Sequence, residues 1–494
     1  LLLEIDMSDN TSNTSKALKG MSSQTIVTIV LGLVDIVSFG IMSRLLTQED
    51  FGYYAAITAI TTVFASFSET GLGSAIIQRK NITDKFVNNA YTLSLIFGIT
   101  IAAILVALSK PLSVGLVDES LIIPLMLMSI TLLFHNIISV NTSIMYRRLE
   151  FVQVGMINLV SLVITTIVAI LLAYMGLGYY AILTKAVLAT IITLVLSHIG
   201  AKTKFRLQLD FETVKSIFGF SGWLMISVFF RNLAQQLDRL LMSNMLSVNS
   251  LGAYNRPKEF IIQISSKING IFDTALFPVL SGIQDDIEAV KRAYLRSFYY
   301  MNIFAIVLSL AFVFNSELII RVFFGEKWMS ILLTMQILSC MLVFNVDARL
   351  ADCYLRSLGW TKQQFYFRVI EVVAQLIGIL IGGHYGINGI AVSVVLVNIL
   401  TIAAKNYYIT KRLGIDTFKV IKTILKSWKV SYLTLPVLII LQCLLPHHLL
   451  GNVINAFIFC LLYLFAFVVY PNMIGSMYKN EVYPTIISKL KIKK

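Results

Sequence analysis

The feature that most constrains this chain is a succession of fourteen apolar stretches, each long enough to cross a membrane. They lie near 23–42, 53–77, 86–109, 120–143, 152–174, 178–199, 216–244, 251–280, 297–319, 330–354, 366–383, 387–407, 430–446 and 452–472. A bilayer's hydrocarbon core is about 30 Å thick, so a helix crossing it needs about 20 largely apolar residues. In hydrocarbon each backbone polar group must be satisfied within the segment, which makes helices the structure for such stretches. The expected fold class is an all-α polytopic membrane protein with about fourteen transmembrane helices. Composition agrees: 57% of the 494 residues are hydrophobic, 13% are charged, and the mean hydropathy is +0.81. Soluble domains carry roughly a quarter charged residues, and disorder requires low hydrophobicity.

The net charge of +14 does not read as a nucleic-acid surface, because the basic residues sit in short loops between apolar runs. Alternate loops and the two tails hold 29 of the 40 Lys and Arg, the largest group being the seven from Lys405 to Lys429. The opposite loops hold only Arg44, Lys110, Arg321 and Lys327. That bias supports fourteen spans with both termini cytoplasmic. Leu1–Asp6 precede Met7 and are set aside as a leader, and Ser8–Lys19 reads as a mobile polar tail. The first apolar stretch is too long for a signal-peptide core and lacks a cleavage site, so it is read as an uncleaved span. Cys340, Cys353, Cys443 and Cys460 fall in apolar segments without metal or disulfide spacing, and small core residues are expected there. His447 and His448 read as a surface turn, since a metal site would need further ligands. No metal or other cofactor is expected.

An internal repeat suggests how the spans are organised. Met42-Ser-Arg-Leu-Leu-Thr-Gln-Glu-Asp-Phe-Gly-Tyr-Tyr54 follows span one, and Met242-Ser-Asn-Met-Leu-Ser-Val-Asn-Ser-Leu-Gly-Ala-Tyr254 follows span seven. Met, Ser, Leu46/Leu246, Gly52/Gly252 and Tyr54/Tyr254 coincide without a gap. Six spans separate the copies, so they share orientation. Parallel repeats related by an axis along the membrane normal are a transporter architecture. The expected organisation is a leader and tail at 1–22, an N lobe at 23–210 (spans one to six) and a C lobe at 211–412 (spans seven to twelve). Residues 413–494 then hold spans thirteen and fourteen and a basic cytoplasmic tail.

An ionisable group at bilayer depth costs about 2.5–3.5 kcal/mol or more and persists where it meets a partner or a wet cavity. Span seven carries Arg231, Gln235, Asp238 and Arg239 on one face. Span eight carries Glu259, Gln263, Ser266, Gly270 and Asp273, with Lys258 and Lys267 beside them. Span one carries Thr25, Thr28, Gly32 and Asp35; span two carries Thr58, Thr62, Ala65 and Glu69. One reading is a central hydrated cavity lined by these four helices. The other is a set of structural ion pairs: Asp238 with Arg239 or Arg231, Asp352 with Arg356, Arg368 with Glu371. For spans ten and eleven the ion-pair reading is favoured, because Arg356 and Arg368 lie at the cytoplasmic edge and can snorkel. In a cavity, Arg231, Arg239, Lys258 and Lys267 would attract a diphosphate. Asp35, Glu69, Asp238 and Asp273 are the candidates for coupling to H+ or Na+.

Several segments also resemble a known family. Ser43-Arg-Leu-Leu-Thr-Gln-Glu-Asp-Phe-Gly-Tyr-Tyr54, Gly71-Leu-Gly-Ser-Ala-Ile-Ile-Gln-Arg79 and Tyr146-Arg-Arg-Leu-Glu-Phe151 resemble the first half of bacterial polysaccharide flippases. Gly252-Ala-Tyr-Asn-Arg256, Leu276-Phe-Pro-Val-Leu-Ser-Gly-Ile-Gln-Asp-Asp286 and Arg292-Ala-Tyr294 resemble the second. Together, over roughly Ser23 to Leu413, they are similar to the polysaccharide transport family of the MOP exporter superfamily, in its Wzx-type branch for O-antigen, colanic acid and lipopolysaccharide. The resemblance implies a flippase of the bacterial cytoplasmic (inner) membrane that is not an enzyme. Its substrate would be an undecaprenyl-diphosphate-linked oligosaccharide, carried from the cytoplasmic to the periplasmic leaflet by alternating access. Membrane lipid and the polysaccharide polymerase machinery are the other partners implied. Related flippases hold the diphosphate with cavity arginines; here span one has no Arg at mid-depth, span two offers Glu69, and the cations fall on spans seven and eight. The alternatives are a drug or cation exporter of the same superfamily and an integral-membrane polysaccharide polymerase. The cavity cations argue against the first, and the short outer loops against the second. No Gly-x-x-x-x-Gly-Lys loop is present for ATP hydrolysis.

Overall fold

A computed structural model describes residues 11–68, 72–78, 82–203, 206–271, 276–444 and 448–468. Among them the chain is helical almost throughout and forms no strand. Two compact units divide the chain, residues 1–252 and 253–494.

The first unit contains α1 (Thr11–Leu45), α2 (Gln48–Ser68), the short α3 (Leu72–Gln78), α4 (Asp84–Leu116), α5 (Ile122–Arg147), α6 (Phe151–Tyr174), α7 (Tyr179–Ala201) and α8 (Phe211–Met245). The next helix, α9 (Val248–Ile271), begins in this unit. Here α4 packs on α5, α5 and α6 on α7, α1 on α6, and α2 on α8. Local chemistry sets several boundaries. Thr83 caps α4 by accepting the Phe86 N–H at 3.3 Å. Gly178 turns α6 into α7 at a φ of +55°, and a Cβ there would lie 2.5 Å from the Asp50 carboxylate. That carboxylate accepts the Tyr179 N–H at 2.9 Å, so the turn is tied to the start of α2.

The second unit contains α10 (Phe277–Gly282), α11 (Ile287–Phe314), α12 (Ser316–Ile319), α13 (Leu332–Ser357), α14 (Thr361–Gly383), α15 (Gly386–Leu413), α16 (Thr417–Ser427), α17 (Lys429–Leu444) and α18 (Leu449–Val468). Helix α13 packs between α11 and α15, α14 packs on α15, and α16 packs on α11. Asp286 caps α11 through the Ala289 N–H at 2.9 Å. The core here gathers Tyr294, Phe298, Leu350, Tyr354 and Leu413.

Large apolar side chains such as Leu33, Ile123, Ile167, Leu171, Phe304 and Leu400 point outward along the helices. A surface of that extent needs apolar surroundings. Among the described residues nine helices are long and apolar enough to cross a membrane: α4, α5, α6, α7, α11, α13, α14, α15 and α18. The chain is thus a multi-pass, all-helical membrane protein.

Two of the expected stretches are described only in part. Within the stretch expected at 53–77 the described residues form α2 (Gln48–Ser68) and α3 (Leu72–Gln78), and residues 69–71 lie outside the described set. Within the stretch expected at 251–280 the described residues form α9, which starts at Val248, and α10, and residues 272–275 lie outside the described set. The expected Cys core role holds for Cys353 alone: Cys340, Cys443 and Cys460 are exposed, and all four are free thiols. His447 lies outside the described residues, while His448 is exposed and accepts the Gly451 N–H through Nδ1 at 3.2 Å.

Candidate transport site

In the first unit the polar face of α8 meets α2. Asn232 donates from Nδ2 to Ser66 Oγ at 2.9 Å, and the Phe229 and Phe67 rings pack at a tilt of 37° with centroids 4.9 Å apart. The predicted residues on α8 differ in exposure. Arg231 is half-buried and Gln235 exposed, whereas Asp238 and Arg239 are buried. Arg239 Nη1 donates to Gln236 Oε1 at 2.9 Å, and its backbone N–H donates to Asp238 Oδ1 at 2.9 Å. Asp35 is half-buried on α1. One turn further on, Ser38 Oγ accepts from Lys185 Nζ of α7 at 2.9 Å. Lys185 is a cation that sequence reasoning passed over; its signal was a single Lys inside an apolar span. Thr58 returns its hydroxyl to its own helix carbonyls.

The repeat copies meet directly. A Cβ on Gly52 would lie 1.9 Å from the Val248 carbonyl oxygen, and one on Gly252 would lie 1.7 Å from that of Gln48. The copies are offset by 200 positions, so each glycine receives the carbonyl equivalent to the one its counterpart receives. The first turns of α2 and α9 therefore cross backbone to backbone, with no room for a side chain at either glycine.

In the second unit Lys258 of α9 is buried, its ammonium 5.8 Å from the centre of the Tyr254 ring. Its neighbour Arg256 is buried too and pairs with Glu259 at 3.3 Å. Lys267 lies on α9 with its side chain outside the described set, and Glu69 and Asp273 fall outside the described residues.

Spans ten to twelve hold a network that the sequence placed differently. Asp352 on α13 accepts from Arg368 Nη2 on α14 and from Lys405 Nζ on α15, the latter at 3.0 Å. Arg368 Nη1 also donates to Glu371 at 2.8 Å, and Lys405 lies 3.9 Å from the same carboxylate. The Asp352 and Lys405 side chains are only 3% and 1% exposed. The expected Arg368–Glu371 pair is present. The expected partner of Asp352, Arg356, instead reaches its backbone carbonyl at 3.4 Å and lies over the Phe277 ring. Lys405, counted with a cytoplasmic loop, is inside α15. These corrections share one cause: the counter-charges come from helices distant in sequence.

A second buried carboxyl, Asp347, lies on α13 without an ion pair among the described residues. It accepts from Asn302 Nδ2 of α11 at 2.7 Å, and Asn302 Oδ1 accepts from Trp428 Nε1 at 3.2 Å. Among the described residues no group of three His, Cys, Asp or Glu could hold a metal ion.

Comparison with known proteins decides the family. The polysaccharide biosynthesis protein family matches residues 41–333, more than half of the chain. The chain belongs to that family. This polysaccharide biosynthesis protein is 24% identical over 418 residues to the lipopolysaccharide biosynthesis protein WzxC of Escherichia coli strain K12, covering 83% of this chain and 84% of WzxC. In fold it is similar to the lipid II flippase MurJ in its inward closed conformation, with a TM-score of 0.73, 15% identity, and 91% and 99% of the two chains covered. It is also similar to an inward-facing multidrug resistance MATE transporter of the MOP superfamily, at a TM-score of 0.59, 14% identity and coverage of 80% and 98%. The Wzx-type resemblance read from the sequence is borne out, and the fold is the MOP fold.

Proposed function

We propose that this family member is a flippase that carries an undecaprenyl-diphosphate-linked oligosaccharide from the cytoplasmic to the periplasmic leaflet of a bacterial inner membrane. Family membership, with WzxC aligned over most of both chains, is the observation that carries this reading. The MOP fold fits it, because the work is transport and no bond of the substrate need be made or broken. Fourteen spans with both termini cytoplasmic complete the proposed topology. Its N lobe is 23–210, its C lobe 211–412, and the two added spans and basic tail lie in 413–494.

Arg231, Arg239, Lys258 and Lys267 are the proposed diphosphate ligands, and Asp35, Glu69, Asp238 and Asp273 the proposed coupling groups for H+ or Na+. Asp347 joins the coupling groups, because a buried carboxyl with no ion pair among the described residues suits exchange of a proton or a monovalent cation. The polysaccharide polymerase machinery is the proposed downstream partner.

The test is complementation of a flippase deletion, with analysis of the lipid-linked oligosaccharide that accumulates without it. The wild-type chain is expected to restore surface polysaccharide, and Arg231→Ala, Arg239→Ala, Lys258→Ala and Lys267→Ala are expected to impair it while the protein stays in the membrane. Full complementation by all four variants would remove the diphosphate assignment. Asp347→Asn is expected to flatten the pH or ion dependence of transport in proteoliposomes, and an unchanged profile removes it as a coupling group.

A further inference from the structure

Helix α16 is out of scale with its neighbours. Its 11 residues, Thr417-Phe-Lys-Val-Ile-Lys-Thr-Ile-Leu-Lys-Ser427, span about 16 Å at 1.5 Å per residue, against a hydrocarbon core of about 30 Å. It follows the membrane helix α15 and precedes the apolar α17, so it belongs to neither. Gly414, in the left-handed region at a φ of +64°, ends α15. Asp416 starts α16 by accepting the Phe418 N–H at 3.0 Å.

Three faces follow from a repeat of 3.6 residues per turn. Val420, Ile424 and Ser427 face inward, with Val420 and Ile424 packed in the core of the second unit. Phe418, Ile421 and Leu425 form the adjacent arc and are 76%, 47% and 47% exposed. Lys419, Lys422 and Lys426 form the next arc and are exposed. None of the three lysines has an acidic partner among the described residues, and α16 itself contains no Asp or Glu. An apolar arc beside a cationic arc, on a helix too short to span, suits the boundary where acyl chains meet phosphate. Clusters of Lys on an amphipathic helix beside a membrane segment attract anionic head groups.

We propose that α16 is a docking surface for anionic phospholipid head groups. Phe418, Ile421 and Leu425 enter the acyl boundary, and Lys419, Lys422 and Lys426 bind the phosphates. The surface anchors the joint between α15 and the added helices α17 and α18. Which leaflet supplies the lipid rests on the cytoplasmic orientation proposed above; the lipid preference itself does not.

The test is hydrogen exchange of the α16 amides in the full chain, in nanodiscs of phosphatidylcholine alone and with about one third phosphatidylglycerol. Phosphatidylglycerol is expected to slow exchange across 417–427, and raised salt to reverse the effect. A K419Q/K422Q/K426Q variant is expected to lose the lipid dependence. Each lysine removed lowers affinity about fivefold, from roughly 1 kcal/mol per basic residue near the surface. Unchanged exchange in α11 shows that the variant is folded. Equal exchange of wild-type α16 in the two lipids overturns the proposal. So does protection by added undecaprenyl diphosphate but not by phosphatidylglycerol, which would make α16 a substrate site. Failure of the flippase reading appears separately, in complementation.

Discussion

The two units solve one packing problem with different chemistry. In each, a long helix that follows a short one carries a tyrosine as its eighth residue: Tyr91 on α4 and Tyr294 on α11. Tyr91 donates to Asn141 Oδ1 of α5 and lies 2.8 Å from the Thr203 hydroxyl, while Asn141 Nδ2 donates to Ser197 Oγ of α7 at 3.0 Å. Tyr294 donates to Asn406 Oδ1 of α15 at 3.0 Å. Around Tyr91 the first unit joins α4, α5 and α7 through neutral side chains, and Arg148 at the end of α5 donates to the Ala201 backbone carbonyl of α7 at 2.8 Å and not to a carboxylate. The second ties α13, α14 and α15 with two carboxylates and two cations. Neutral hydrogen bonds contribute about 1 kcal/mol each and can be lost singly. Buried ions are costly to desolvate, and removing one leaves the others uncompensated. The second unit should therefore be the less tolerant of single substitutions.

The largest expected effect is at Asp352. Asp352→Asn leaves the cations of Lys405 and Arg368 with Glu371 alone, and is expected to cost about 3–5 kcal/mol in stability. Thermal unfolding of the purified protein reads it. Removing the opposed pair together, as Asp352→Leu with Lys405→Met, should recover most of that loss, since Arg368 and Glu371 remain balanced. If the single variant melts with the wild type, the network does not hold these helices. Next comes the glycine crossing. Gly252→Ala drives a methyl group into the Gln48 carbonyl and is expected to cost about 1–3 kcal/mol. Gly52→Ala, facing Val248, should match it. Strongly unequal losses would show that the two copies of the repeat do not carry equal strain.

What the sequence revealed follows the range of the interactions. Stretches with uninterrupted apolar character, such as 120–143 and 152–174, lie within a few residues of α5 and α6, because hydropathy alone determines them. The Arg368–Glu371 pair was legible because its partners are three apart on one helix. The Asp352–Lys405 pair was not, because 53 positions separate its members and no local pattern records such a contact. Local spacing instead favoured Arg356. Helix α16 was hidden for another reason. Its lysines merged with Lys405, Lys411 and Arg412 into one basic loop, and its apolar residues were too few to register as a span. Lys185 gave no local signal of its partner, since a single Lys in an apolar run does not show that Ser38 lies opposite. The glycine crossing was half visible: the repeat aligned Gly52 with Gly252, but only the fold brings those two turns together.

The smallest expected effect separates the two chemistries most cleanly. Tyr91→Phe and Tyr294→Phe each remove one phenolic hydroxyl from equivalent places and preserve the ring packing. Each is expected to cost about 1 kcal/mol, because each leaves one asparagine oxygen short of a donor. Neither should disturb the charged network, since Tyr294 is bonded to Asn406 and not to Asp352 or Lys405. Combined with Asp352→Asn, then, Tyr294→Phe should add its own loss without coupling beyond about 0.5 kcal/mol, as independent sites do. Larger coupling would mean that the tyrosine and the ions form one cooperative cluster. The intolerance of the second unit would then come from a shared network, and the contrast between neutral and ionic closure would have to be redrawn.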